Sequence, residues 1–187
     1  MPVVPALVLA LLVVPPPSPV PASVEERAAW RARLAWPEEC EREHALALKI
    51  LELADGRVRV FPLEAGRSLV EVGCARGAYQ DGLLFYLWDE TRRPPSAVAL
   101  KVPTWEALDD EWEPVERVEA AGESTWDARQ RTLALFTRAR GLGDCGTLAR
   151  YRVQGSKLVL LELRGRPCDG DPESAPPPAR WPRVFPK

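Results

Sequence analysis

The chemistry open to this chain rests on a small set of side chains: four cysteines (Cys40, Cys74, Cys145, Cys168), one histidine (His44), and three carboxylates, Asp89, Glu90 and Asp144. A zinc site needs paired ligands such as Cys-x-x-Cys or added histidines, so no metal or cofactor is expected from cysteines this widely spaced. A Ser-His arrangement would have to use His44, and no nucleophile-elbow sequence accompanies it. His44 is expected as an exposed residue of a helix with acidic neighbours. The three carboxylates lie at expected strand ends or in a conspicuous loop, and a pair of them could serve a hydrolase. Hydrogen bonding within turns accounts for them more simply, so no catalytic residue is assigned.

Two stretches suggest sites of other kinds. Asp109, Asp110, Glu111 and Glu113 lack the alternating ligands and glycine of a calcium loop, and the acidic run from Thr104 to Asp127 reads as a solvated loop. Phe136 to Gly146, with Gly141, Gly143 and Gly146, is no phosphate cradle, because no Lys-Ser/Thr follows and a strand flanks it. It reads instead as a sharp reversal pinned by Cys145, a shape that would also suit a secreted inhibitor. Tyr79, Trp105, Trp112 and Arg140 are the candidate contact residues, since aromatic and arginine side chains dominate binding hot spots. Asp144 joins them through its place in the loop. A net charge of -2 sets up no field for nucleic acid. The partner expected is a protein, a glycan or a small ligand.

The 187 residues suffice for one domain with a buried core. Residues 1–22 carry no charged side chain, and their apolar run from Ala6 to Val14 is too short to span a bilayer. Val20-Pro-Ala22 places small residues where a signal peptidase cuts, so an export signal cleaved after about Ala22 is expected, with an uncleaved N-terminal anchor as the alternative. Export to the periplasm or beyond permits oxidation, and four cysteines then imply two disulfides. Spacing alone does not separate the three pairings. Cys40 with Cys74 and Cys145 with Cys168 are favoured as nearest in sequence and as bracketing neighbouring strands. Each bridge would contribute on the order of 3 kcal/mol by restricting the unfolded chain.

These residues must be positioned by a β-rich α+β fold. Ser23-Val-Glu-Glu26 has the form of a capping box opening a helix to about Ala35, and Pro37 starts a second short helix that carries Cys40. Leu46 to Leu53 reads as a strand, paired through the Asp55-Gly56 turn with the alternating Arg57 to Phe61. Ser68 to Val72 follows. Leu83 to Trp88 is so continuously apolar that it predicts a central strand buried on both faces. Val98 to Val102 is expected to stop at Pro103, and Arg131–Thr137, Leu148–Val153 and Lys157–Leu163 complete a mainly antiparallel sheet. One globular domain over 23–168 is expected, with a proline-rich tail over 169–187 packing back through Trp181.

The ordered motifs Cys74-Ala-Arg-Gly-Ala-Tyr-Gln80, the apolar strand ending Asp89-Glu90, Ala139 to Gly146, Tyr151, Cys168 and Trp181-Pro182 resemble the C-terminal part of a bacterial exported family. It is catalogued as the domain of unknown function numbered 1176, and the resemblance runs from roughly Trp36 to Phe185. It implies export and cysteine cross-linking and supplies no catalytic residues. It also implies a further N-terminal region in family members that this shorter chain is expected to lack. Together with the residues, it points to a non-catalytic envelope protein with a binding role. A secreted inhibitor or a carboxylate-dependent hydrolase is the alternative.

Overall fold

A computed structural model describes residues 22–51, 55–108, 111–169 and 171–186, so the export segment expected before Ala22 lies outside the described residues. Helix α1 (Val24–Leu34) opens on the capping box: the Glu26 amide donates to Ser23 Oγ at 3.2 Å, and Glu26 Oε2 accepts from the Ser23 amide at 2.6 Å. Glu25 and Glu26 in the first turn and Arg31 and Arg33 in the last complement the helix dipole. Helix α2 (Glu38–Leu51) is longer than the sequence suggested. Residues 46–51 continue this helix instead of forming a strand, and residues 52–54 lie outside the described part. The reason is periodic: Cys40, His44 and Ala47 recur at helical spacing and are all buried, so one face runs unbroken past the point where Leu46-Ala-Leu looks strand-like.

The sheet is antiparallel throughout, nine strands with the order β1 (Val58–Pro62), β2 (Arg67–Arg76), β3 (Asp81–Asp89), β7 (Glu119–Asp127), β8 (Thr132–Arg138), β9 (Gly146–Gln154), β10 (Lys157–Arg166) and β11 (Arg183–Phe185), with β4 (Ser96–Leu100) also on β3. Strand β3 divides its second edge: Asp81–Leu84 pair with β7 and Phe85–Asp89 pair with β4. Out of this fork springs the hairpin of β5 (Val102–Leu108) and β6 (Glu111–Arg117), joined to β4 through Lys101 and to β7 through Val118. Two expectations are corrected here. Pro103 does not end the strand, because it sits in β5, where it pairs in register with Glu116. Of the acidic stretch from Thr104 to Asp127, the described residues 104–108, 111–117 and 119–127 are strand, not loop. Along β7 its charged residues Glu119 and Glu123 occupy the exposed positions, while Ala120 and Ser124 alternate with them inward. The period of two was present, but small residues on the inner face made it faint.

Leu83, Phe85 and Leu87 of β3 face a core shared with Phe61, Leu133 and Tyr151, whereas Leu84, Tyr86 and Trp88 face the helices. The double burial read from the sequence is therefore how the strand sits. Helix α1 is tied to the sheet by Arg27, which is 2% exposed. Its Nη1 donates to the Gly56 and Gly73 carbonyls at 2.8 and 3.0 Å, and its Nη2 lies 2.7 Å from Glu41 Oε1. The guanidinium lies 5.1 Å from the Trp36 ring centroid, and the indole N–H donates to the same Glu41 oxygen at 2.6 Å. Beside it the Cys40–Cys74 disulfide links α2 to β2, and Cys145–Cys168 links the start of β9 to the segment leaving β10. At the other end Trp181, fully buried, packs edge-on against Phe136, and β11 pairs with β10.

His44 departs from its expected exposure: it is 3% exposed on the inner face of α2, and neither ring nitrogen finds a partner among the described residues. Burial, with the charges of Arg27 and Arg57 adding to it, lowers its pKa from 6.5 to about 4. The unfolded chain therefore takes up a proton here that the folded chain refuses, and stability falls as pH drops from 6.5 towards 4. His44→Leu should shrink that loss by on the order of 2 kcal/mol, as read from urea unfolding at several pH values. Peptide mapping without reduction should recover only the Cys40–Cys74 and Cys145–Cys168 pairs. Replacing Cys40 and Cys74 together by serine should cost about 2–5 kcal/mol in the same unfolding assay.

Candidate functional site

The reversal between β8 and β9 is built as its glycines require. Gly143 and Gly146 have φ of 72° and 134°, and a Cβ on Gly146 would stand 2.1 Å from the Thr137 carbonyl oxygen. Inside the turn, Arg140 and Asp144 form a two-point ion pair, with Nε to Oδ1 at 2.9 Å and Nη2 on Oδ2. That guanidinium holds the Asp144 carboxyl below the usual carboxylate range. The β2–β3 turn packs against this loop: the Arg138 amide donates to Gln80 Oε1 and its Nη1 to the Tyr79 carbonyl, both at 2.9 Å. The Tyr79 ring lies beside Gly141. Two motifs far apart in sequence thus meet, bringing Tyr79, Arg140 and Asp144 around one loop whose Leu142 is 71% exposed.

The other carboxylates do not join them. Asp89 is at the far end of β3 from Tyr79, where it accepts from the Thr91 amide at 2.9 Å, and Glu90 accepts from the Trp88 indole at 3.1 Å. Hydrogen bonding from Thr91 lowers the pKa of Asp89. Both serve the turn. Asp109 and Asp110 lie outside the described residues, as does the side chain of Trp112.

Sequence reasoning missed a charged cleft of about 360 Å³ between β1, β2 and β7. Glu71, 3% exposed, receives Arg59 Nε at 2.8 Å and the Ser124 hydroxyl, while Arg57 donates to the Cys74 and Ala75 carbonyls at 3.1 Å and pairs with Asp81 at 2.9 Å. Arg57 and Arg76 pair with Asp81, and Arg59 with Glu71, so the cleft braces the strands and leaves little for a ligand. Strict alternation had marked Arg57 to Phe61 as a strand. Nothing in it said that Arg59 would turn inward to meet Glu71.

The larger cavity lies on the other side of the fork. A groove of about 620 Å³ runs between the β5–β6 hairpin and the ends of β7 to β10. Val102, Trp105, Ala120 and Leu135 form its apolar surface, and Ala139, Gly146 and Cys168 form the wall it shares with the cross-linked loop. Trp105 is half-buried and lies against Phe185 at 6.1 Å between ring centroids. On the rim, Arg117 Nε donates to Glu106 at 3.0 Å. Of the predicted contact residues, Trp105 alone has a described side chain lining this groove, while Tyr79, Arg140 and Asp144 belong to the loop beside it.

No helix among the described residues is long and apolar enough to cross a membrane. No solved structure matches the chain. It is 30% identical over 169 residues to the uncharacterized protein YpfG of Escherichia coli (strain K12), covering 88% of this chain and 45% of that protein. The chain therefore spans a little under half the length of this curated relative. The sequence profile of the family described as "Protein of unknown function (DUF1176)" matches residues 1–186, the span that holds both the cross-linked loop and the groove, and the chain belongs to that family.

Proposed function

We propose that the protein is an exported, non-catalytic binding module, working in the periplasm or outside the cell, whose ligand lies in the apolar groove beneath the β5–β6 hairpin. The observation that carries this reading is the groove itself. Its volume of about 620 Å³ falls in the range of small-molecule sites, and it pairs a mostly apolar lining with a few polar groups at its rim. Trp105 gives it an aromatic wall held in place by Phe185. Export draws support from the chargeless leader before Ser23 and from the oxidised state of all four cysteines, which persists in oxidising compartments. The hydrolase alternative draws less, because Asp144 is ion-paired and stands apart from Asp89 and Glu90.

The test is titration of oxidised protein, recovered from the envelope fraction of an expression host, with the neutral apolar fluorophore N-phenyl-1-naphthylamine. A saturable rise and blue shift in emission is expected. Trp105→Ala should weaken binding by about tenfold, as loss of an aromatic anchor does, while far-ultraviolet circular dichroism stays unchanged. Emission that rises without saturation, or to the same extent in both proteins, would overturn the assignment.

A further inference from the structure

We infer that the ligand of this groove is an amphipathic anion: an apolar chain ending in a single carboxylate or phosphate head, which Arg166 receives. This inference rests on the groove being the binding site and adds the chemistry of what enters it.

Three charged side chains of the groove wall, Arg117, Glu119 and Arg166, differ in what already holds them. Arg117 is cancelled by Glu106, with its Nε and Nη2 both on Oε1. Glu119 lines the cavity, but its Oε1 lies where a Cβ on Gly82 would be, over β3 on the side of the sheet that α2 covers. Glu119 is exposed as a residue, but partial desolvation of its carboxylate on that side, with the charges of Glu43 and Glu39, raises its pKa. Arg166 remains. It is half-buried, and its Nη1 and Nη2 donate only to main-chain carbonyls, those of Asp144 at 3.0 Å and Asp171 at 3.4 Å.

The side chains of the two residues whose carbonyls it meets are already engaged, although the charge of Arg166 still helps to keep Asp144 ionised. The Asp144 carboxylate is taken by Arg140, and Asp171 Oδ1 accepts from the Glu173 amide at 3.1 Å. Among the described residues Arg166 therefore forms no ion pair, although the acidic chain could readily have given it one. A half-desolvated guanidinium at the border of an apolar cavity is matched by a planar carboxylate or a phosphate, which its fork can bind through two hydrogen bonds. Its position is fixed beforehand. Pro167 and Cys168 follow it directly, and Cys168 is bonded to Cys145 of the cross-linked loop, so little ordering remains to be done when a head group arrives.

Competition against bound N-phenyl-1-naphthylamine tests this, using four twelve-carbon chains below their micelle concentrations: dodecanoate, dodecyl phosphate, dodecanol and dodecyltrimethylammonium. One or both anions should displace the fluorophore at concentrations about tenfold lower than dodecanol, the gain expected for a charge-assisted pair. The cation should be weakest. The better of the two anions identifies the source as a free fatty acid or a phosphorylated lipid head. Arg166→Gln should bring anion and alcohol to within about twofold of each other while leaving dodecanol unchanged, and Arg166→Lys should keep part of the preference. If Arg166→Gln fails to fold, the unaltered protein still decides, because added salt must weaken the anions and not the alcohol. Equal displacement by dodecanol and both anions would overturn the anionic head and leave the groove standing. Absence of any saturable fluorophore binding would remove the groove reading and this inference with it.

Discussion

A single buried guanidinium sets how the two layers of this protein meet. Arg27 enters the space between helix and sheet with one carboxylate, Glu41, and two main-chain carbonyls to receive it, and the Trp36 ring closes over it. Burial lowers its pKa, yet its charged form is met on nearly every side. Such an arrangement adds little net stability over a well-packed apolar one, but removing a partner leaves a charge stranded in the interior. Its geometric effect is large. The carbonyls belong to Gly56, just before β1, and Gly73, within β2, so α1 is referenced to both strands at once. The Cys40–Cys74 bridge then repeats the attachment for α2.

With one face of β2 and β3 roofed by helices, those strands are buried twice over, and β3 can serve as the spine of the sheet. Its fork is what produces a cavity. Because β4 and β7 share the same edge of β3, the chain between them has no place in the sheet and stands off it as the β5–β6 hairpin. The Tyr151 hydroxyl donates to the Pro103 carbonyl at 2.8 Å, holding the foot of the hairpin to the inner core. The groove is the space between this foot, the strand ends and the loop closed by Cys145–Cys168. Sheet, hairpin and cross-linked loop thus each contribute one wall.

Much of this was legible in the residues. The capping box at Ser23, the doubly buried Leu83 to Trp88, the turn at Gly143 to Gly146 and the return of Trp181 each depend on local chemistry strong enough to act alone. Both disulfide pairings follow from the nearest-neighbour preference. What was not legible has a common cause. Leu46 to Leu53 reads as strand on the Asp55-Gly56 turn and the alternating run after it, signals that do not outweigh a helical face established a turn earlier by Cys40 and His44 and carried through Leu51. His44 was expected outside because its acidic neighbours Glu41 and Glu43 suggested solvent, although its position relative to Cys40 puts it on the inner face. Strand β7 was hidden by glutamates on its outer face and by alanine, glycine and serine on the inner one. Arg166 carried no signal, since its lack of an ion pair depends on Arg140 holding Asp144 and on Asp171 accepting from the Glu173 amide.

The β5–β6 hairpin leaves and rejoins the sheet through one residue at each end, Lys101 and Val118, while the strands bordering it keep their own partners. Its length is therefore uncoupled from the packing of the nine-stranded sheet. A change in the length of the hairpin would shift no strand register within that sheet. A single scaffold of this kind can vary the reach of its hairpin over evolutionary time without renegotiating the sheet that holds it up.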